Sequence, residues 1–242
     1  MPSKNEVKVY IEDSYYHIYN RGVEKRNIFL DDQDYSVFLS YLKTYLLPKD
    51  KNQLISILAN PNINYKEKDK VLKLLRLNNF SDNLKLIAYC LMPNHFHFLI
   101  HQKDKNTIKI FMNSLITRFS MYFNKKYKRV GPLFQGVYKA VLVKTDEQLV
   151  YLSRYIHFQA IAQTASQGQP LQHLYHPSSY QNFLGNISQK WINPSDVLVF
   201  FQSKKSLGRF GFKKINSYQS FVEDKSEEFG EFTKCIDDLY LE

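Results

Sequence analysis

The sequence predicts an α+β fold: a ferredoxin-like split βαβ two-layer core, with helices on one side of an antiparallel sheet, and a mostly helical C-terminal appendage. Three observations predict it. Short runs carry apolar residues with the period of two expected of strands, and longer runs carry them at the three-to-four spacing of helices. The runs follow one another in the order β-α-β-β-α-β. Beyond residue 165 the pattern breaks into short segments punctuated by "SQGQP", "HPSS" and "NPSD".

The first strand is "YYHIYNRG" (15–22), which alternates and then stops at a glycine. The helix after it, 33–46, places Tyr35, Phe38, Leu39, Leu42 and Leu46 at helical spacing. Residues 48–80 begin and break at prolines and carry mixed charge; they read as an insertion outside the core, with one short helix near 68–77. "NLKLIAYCL" and "HFHFLIHQ" follow as adjacent strands separated by "MPN", whose proline and asparagine suit a tight turn. A helix over 107–127 has an apolar stripe of Ile108, Phe111, Met112, Leu115, Phe119, Tyr122 and Phe123. "GVYKAVLVKT" (136–145) is the fourth strand, and 146–163 the last core helix, with Asp146 and Glu147 placed at its positive end. The expected organisation is a domain over 1–165 and an appendage over 166–242 without a second independent core.

A formal net charge of +10, with 18 Tyr and 18 Phe, suits a partner that is a polyanion with unpaired bases to stack. The positive charge belongs to the body of the chain, because residues 223–242 hold eight acidic residues against two basic ones. Two cysteines, Cys90 and Cys235, are too few for a disulfide framework. No apolar run approaches the roughly 18 residues a membrane-spanning helix needs, and no secretory signal is recognised. The expectation is a cytoplasmic protein without a membrane partner, monomeric or homodimeric.

His95 and His97 lie one residue apart in the "HFHFLIHQ" strand, so they share one face while Phe96 and Phe98 take the other. Composition alone favours ordinary hydrogen-bonded strand histidines; a metal site needs at least one more ligand. On the last core helix Tyr155 and Gln159 are four apart and share a face, while His157 points elsewhere. If that helix crosses the sheet above the histidines, the Gln159 amide completes a three-ligand platform with the Tyr155 hydroxyl beside it. Tyr151 stands one turn earlier, and spacing alone does not choose between the two tyrosines. A plain amphipathic core helix explains the same spacing.

His95-Phe96-His97 resembles the His-hydrophobic-His motif of the HUH single-strand endonucleases. The string "CLMPNHFHFLI" is similar to the signature of the IS200-like single-tyrosine transposases. Further similarity lies in "YYHIYNRG", in "GPLFQGVYKA" and in "RYIHFQ", which resembles the family's catalytic-tyrosine helix; "HPSSYQNFLG" resembles a segment of the transposases associated with repetitive extragenic palindromes. The resemblance spans about residues 10–190.

What the resemblance implies is specific. His95, His97 and Gln159 are metal ligands, Tyr155 is the nucleophile, and the cofactor is a divalent ion, Mg²⁺ or Mn²⁺. The activity is cutting and rejoining of single-stranded DNA with hairpin or palindromic ends through a 5′-phosphotyrosine. The palindrome-associated branch commonly has Asn-Pro where this chain has Gln159-Ala160. Two other functions stay open: a domesticated nucleic-acid-binding protein, and a metal phosphodiesterase that activates water. For DNA contact the chain offers Arg21, the run Lys125, Lys126, Lys128 and Arg129, then Lys139 and Lys144, with Tyr127 and Phe134 as stacking surfaces. Lys204, Lys205, Arg209, Lys213 and Lys214, interleaved with Phe210 and Phe212, form a second basic segment.

Overall fold

A computed structural model describes residues 8–162, 176–202 and 215–224 of the chain. The basic segment Lys204, Lys205, Arg209, Lys213 and Lys214 and most of the acidic tail lie outside the described residues. Four strands, β1 (Ser14–Arg21), β2 (Leu84–Met92), β3 (His95–Gln102) and β4 (Lys139–Val143), form one sheet in the order β2-β3-β1-β4. Every neighbouring pair is antiparallel. Together with α1 (Asp32–Leu46) and α4 (Thr107–Lys126) this is the predicted ferredoxin-like arrangement. β4 is shorter than its apolar run, and before it an isolated bridge pairs Phe134 with Gly22.

Strand alternation divides the sheet into two faces. Tyr16, Ile18, Phe96, Phe98, Ile100 and Leu86 point to the face covered by α1 and α4, where they meet Phe38, Leu42, Phe111, Leu115 and Phe119. Phe38 is fully buried, and its ring lies against those of Phe29, Phe96 and Phe119. The opposite face belongs to α5 (Asp146–Ala162), which sets Leu149, Val150, Leu152 and Ile156 on Ile87, Ala88, Cys90 and Leu99. Helices on one side of the sheet therefore describe the two-layer core, and α5 adds a layer on the other side. No helix among the described residues is long and apolar enough to cross a membrane.

The insertion holds two helices rather than the one expected: α2 (Lys51–Leu58) and α3 (Tyr65–Arg76). Asp50 caps the first by accepting from Gln53 N, and Asn64 caps the second by accepting from Glu67 N. α2 buries none of its residues, although Leu54, Ile57 and Leu58 stand at helical spacing along it. After residue 175 come α6 (Tyr180–Phe183), α7 (Ser195–Leu198) and α8 (Tyr218–Glu223). Tyr180, Phe183, Val197, Tyr218, Phe221 and Val222 join the α5 side of the core.

The turn between β2 and β3 is clamped from outside. The Pro93 carbonyl accepts from Ile28 N at 2.8 Å and Phe29 N at 3.1 Å, and the Asn94 carbonyl accepts from Gly22 N at 2.8 Å. This close approach needs a glycine: a Cβ on Gly22 would sit 2.1 Å from the Arg26 carbonyl oxygen. The "RG" after β1 thus fixes where "PNH" can lie.

Candidate active site

The sheet register lines up the functional side chains in rows. Lys139 pairs with Tyr19, Tyr19 with His97, and His97 with Cys90; in the next row Arg21 pairs with His95. Side chains at these positions lie on the α5 face of the sheet; alternation predicted that His95 and His97 share one face. Cys90 is fully buried in this row, and burial pushes its thiol above the ordinary range, so it is a core thiol.

α5 lowers Tyr155 onto the histidines. The Tyr155 ring meets His97 edge-on with centroids 5.4 Å apart, and meets His17 at 6.2 Å. His95 and His97 are themselves perpendicular, with centroids 5.0 Å apart. Tyr151 goes elsewhere: its ring lies 5.7 Å from Phe221 of α8. His157 also points away, as expected, and is buried between the Tyr218 hydroxyl at 2.7 Å and the Ser179 hydroxyl at 2.8 Å. Gln159 lies half-buried one turn beyond Tyr155.

His17 is the participant that sequence reading missed. It is fully buried on β1, and its Nε2 lies 2.9 Å from Nδ1 of His97. Its position in the alternating run "YYHIYNRG" placed it on a face with Tyr15 and Tyr19, but the register of β1 on β3, which brings it to His97, is not given by the sequence. His95 is held likewise: its Nδ1 lies 2.6 Å from the Asn94 amide oxygen, while the Asn94 amide nitrogen donates to the Lys25 carbonyl at 3.3 Å. His97 Nε2, in contrast, is buried and has no hydrogen-bond partner among the described residues. Burial, and then the neighbouring His17 and His95, hold the His97 imidazole well below its ordinary pKa. A neutral imidazole with a lone-pair nitrogen is chemically able to bind a divalent ion. Among the described residues no three His, Cys, Asp or Glu side chains group to hold a metal.

The basic residues divide. Arg21 stands in the His95 row, its Nε donating to Gln135 Oε1 at 3.0 Å, and Lys139 stands in the His97 row. Lys144 falls beyond the opposite end of β4, past the pairing of Val143 with Tyr15. Lys125 and Lys128 are exposed at the end of α4. Lys126 turns inward and bonds Asp31 at 2.7 Å and buried Asp34 at 2.8 Å, so its charge is spent within the fold. Arg129 lies with its guanidinium 5.8 Å from the Phe123 ring. The two expected stacking surfaces are already occupied. Phe134 is buried against Phe96 and Phe119, and Tyr127 packs on Phe123 while donating its hydroxyl to Asp34 at 2.8 Å.

The family model described as "Transposase IS200 like" matches residues 36–159, half of the chain. The chain belongs to the IS200-like transposase family. This stretch runs from α1 to Gln159 and contains His95, His97 and Tyr155; β1, with His17, precedes it. Membership places the chain among transposases, enzymes that process DNA. No curated protein matches the chain. Among solved structures, this IS200-like transposase is similar to a REP-associated tyrosine transposase bound to a REP hairpin, with 9% identity, a TM-score of 0.44, and coverage of 78% of this chain and 97% of that one. It is similar to a candidate transposase from Deinococcus radiodurans R1, with 15% identity, a TM-score of 0.34 and coverage of 64% and 97%. It is also similar to tRNA(His) guanylyltransferase from Saccharomyces cerevisiae, with 12% identity, a TM-score of 0.33 and coverage of 95% and 82%.

Proposed function

We propose that this transposase nicks and rejoins single-stranded DNA beside a hairpin, with Tyr155 as nucleophile and a divalent ion as cofactor. The observation that carries the reading is the Tyr155 ring set edge-on to His97 at 5.4 Å in a chain of this family. The Tyr155 oxygen attacks phosphorus in line, forming a 5′-phosphotyrosine as the bond to the 3′ oxygen breaks and a 3′-hydroxyl leaves. The phosphodiester energy is conserved in the phosphotyrosine, so attack by a 3′-hydroxyl reverses the step and joins strands. A tyrosine hydroxyl, with a pKa near 10, is a weak nucleophile, and its activation has to come from the site.

His95, His97 and Gln159 would hold the ion, and the buried, unpartnered His97 Nε2 supports that assignment. Bound there, Mg²⁺ or Mn²⁺ supplies positive charge to the phosphoryl oxygens. The chain supplies the rest: Arg21 and Lys139, in the rows of His95 and His97, meet phosphate, and exposed Lys125 and Lys128 extend the basic surface. Residues 1–165 carry the chemistry in this reading, and 166–242 contact the DNA through Lys204, Lys205, Arg209, Lys213 and Lys214.

The test is incubation of the full chain with Mn²⁺ and end-labelled single-stranded hairpin DNA. A covalent protein–DNA adduct mapping to Tyr155 is the expected result. Free 5′-phosphate without an adduct would identify a water-using phosphodiesterase, and binding without cleavage a nucleic-acid-binding module; either result overturns the proposal.

A further inference from the structure

We propose that His17 is the positioning residue for His97: its Nε2 accepts the Nδ1 proton of His97 and so fixes the tautomer and ring direction that present the Nε2 lone pair of His97 to the metal. The inference rests on the reading of His95 and His97 as ligands.

The argument is one of hydrogen-bond accounting. A neutral imidazole carries one proton on two nitrogens, and only the nitrogen without it can bind a cation. His97 Nδ1 lies 2.9 Å from His17 Nε2, while His97 Nε2 is buried and meets no partner among the described residues. If the His97 proton sat on Nε2, a buried N–H would go unsatisfied, which costs about 1–3 kcal/mol. The proton on Nδ1 is therefore favoured, and His17 Nε2 must be the acceptor, with the His17 proton on its own Nδ1. The two rings are nearly parallel, at 17° with centroids 5.1 Å apart, and stand on adjacent paired strands, which fits a nitrogen-to-nitrogen contact of 2.9 Å.

His95 repeats the logic. The Asn94 amide nitrogen donates to the Lys25 carbonyl, which turns the Asn94 oxygen toward His95 Nδ1 at 2.6 Å and leaves His95 Nε2 as the lone-pair nitrogen. Both imidazoles thus have Nδ1 held by a neighbour, one by an amide oxygen and one by His17. His17 itself does not act as a third ligand, since its Nε2 is committed to His97 and no three histidines group for a metal among the described residues. Partners of this kind typically change metal affinity by about 10–100-fold when removed.

The test uses the full chain, ¹⁵N-labelled at histidine and free of metal, and reads the His97 tautomer by long-range ¹H–¹⁵N correlation. Mn²⁺ affinity is measured in parallel by electron paramagnetic resonance. The wild type should show the proton on His97 Nδ1. His17→Phe should move it toward Nε2 and weaken Mn²⁺ binding about 10–100-fold, and His17→Gln, whose amide oxygen can accept, should restore much of both. A wild-type proton on His97 Nε2 overturns the proposal without any variant, and so does a folded His17→Phe with unchanged tautomer and Mn²⁺ affinity. A wild type with the predicted tautomer but no Mn²⁺ binding would sink the ligand reading while upholding the hydrogen bond.

Discussion

The ring of Tyr155 meets the ring of His97 edge-on at 5.4 Å, whereas Tyr151, one turn earlier on α5, is buried against Phe221. The helix therefore offers the site one tyrosine, not two. Tyr155→Phe removes a single oxygen and should abolish the covalent adduct with hairpin DNA while leaving the melting temperature and DNA affinity near wild type. Tyr151→Phe should still form the adduct. Peptide mapping of trapped phosphotyrosyl DNA decides; an adduct on Tyr151 would refute the assignment.

His97→Ala should eliminate both Mn²⁺ binding and cleavage. Binding to single-stranded DNA should remain, because phosphate contacts by lysine and arginine supply most nonspecific affinity. Calorimetric titration with Mn²⁺ and a gel-shift assay on one preparation check both halves.

The basic residues at the end of α4 should separate by role. Lys128→Ala should weaken DNA binding and reduce the salt slope by about 0.7, the value for one lost single-strand phosphate contact. Lys126→Ala should act chiefly on folding, because it strips buried Asp34 of its cation and leaves only the Leu30 amide and the Tyr122 and Tyr127 hydroxyls. Thermal melts and salt-dependent binding of the two variants would show whether these effects are in fact distinct.

Gly22→Ala should be costly at a position that touches neither tyrosine nor histidine. The added methyl would meet the Arg26 carbonyl at 2.1 Å, and relief requires moving the turn that holds Pro93 and Asn94. A loss of roughly 1–3 kcal/mol is expected, as for overpacking in a core. Denaturant unfolding measures it, and a wild-type midpoint would mean that the 22–26 turn yields freely.

Ser179→Ala should loosen the segment after residue 175. Its hydroxyl accepts from Tyr89 N at 2.8 Å and lies 2.8 Å from His157 Nε2, both buried. Leaving these groups unpaired should cost about 1–3 kcal/mol, read as a shift in urea midpoint; Ser178→Ala serves as the neighbouring control.

The sheet, its helices and the facing of His95 and His97 were legible because each follows from a period within one segment. Tyr155 and Gln159 on one side of a helix are likewise a matter of spacing. What escaped the sequence needed knowledge across segments. His17 meets His97 only through the register of β1 on β3, Lys126 meets Asp34 across 92 positions, and Phe134 is a core residue because a bridge to Gly22 turns it inward. Helix α2 escaped for another reason: its apolar residues Leu54, Ile57 and Leu58 sit in a run of about two turns between prolines, too short to mark a helix by period alone.

The outer edge of β2 is closed by residues far downstream. Leu91 N donates to the Pro177 carbonyl, Ser179 N to the Tyr89 carbonyl, and Asn193 N to the Leu86 carbonyl. β2 leaves the ribosome well before these partners do, and until they arrive an apolar strand shows an unpaired row of backbone groups, the template on which chains join edge to edge. A fragment cut after residue 165 would keep His95, His97, Tyr155 and Gln159 and still expose that row. Such a fragment should aggregate more readily than the longer chain, because the segment after 175 covers that edge.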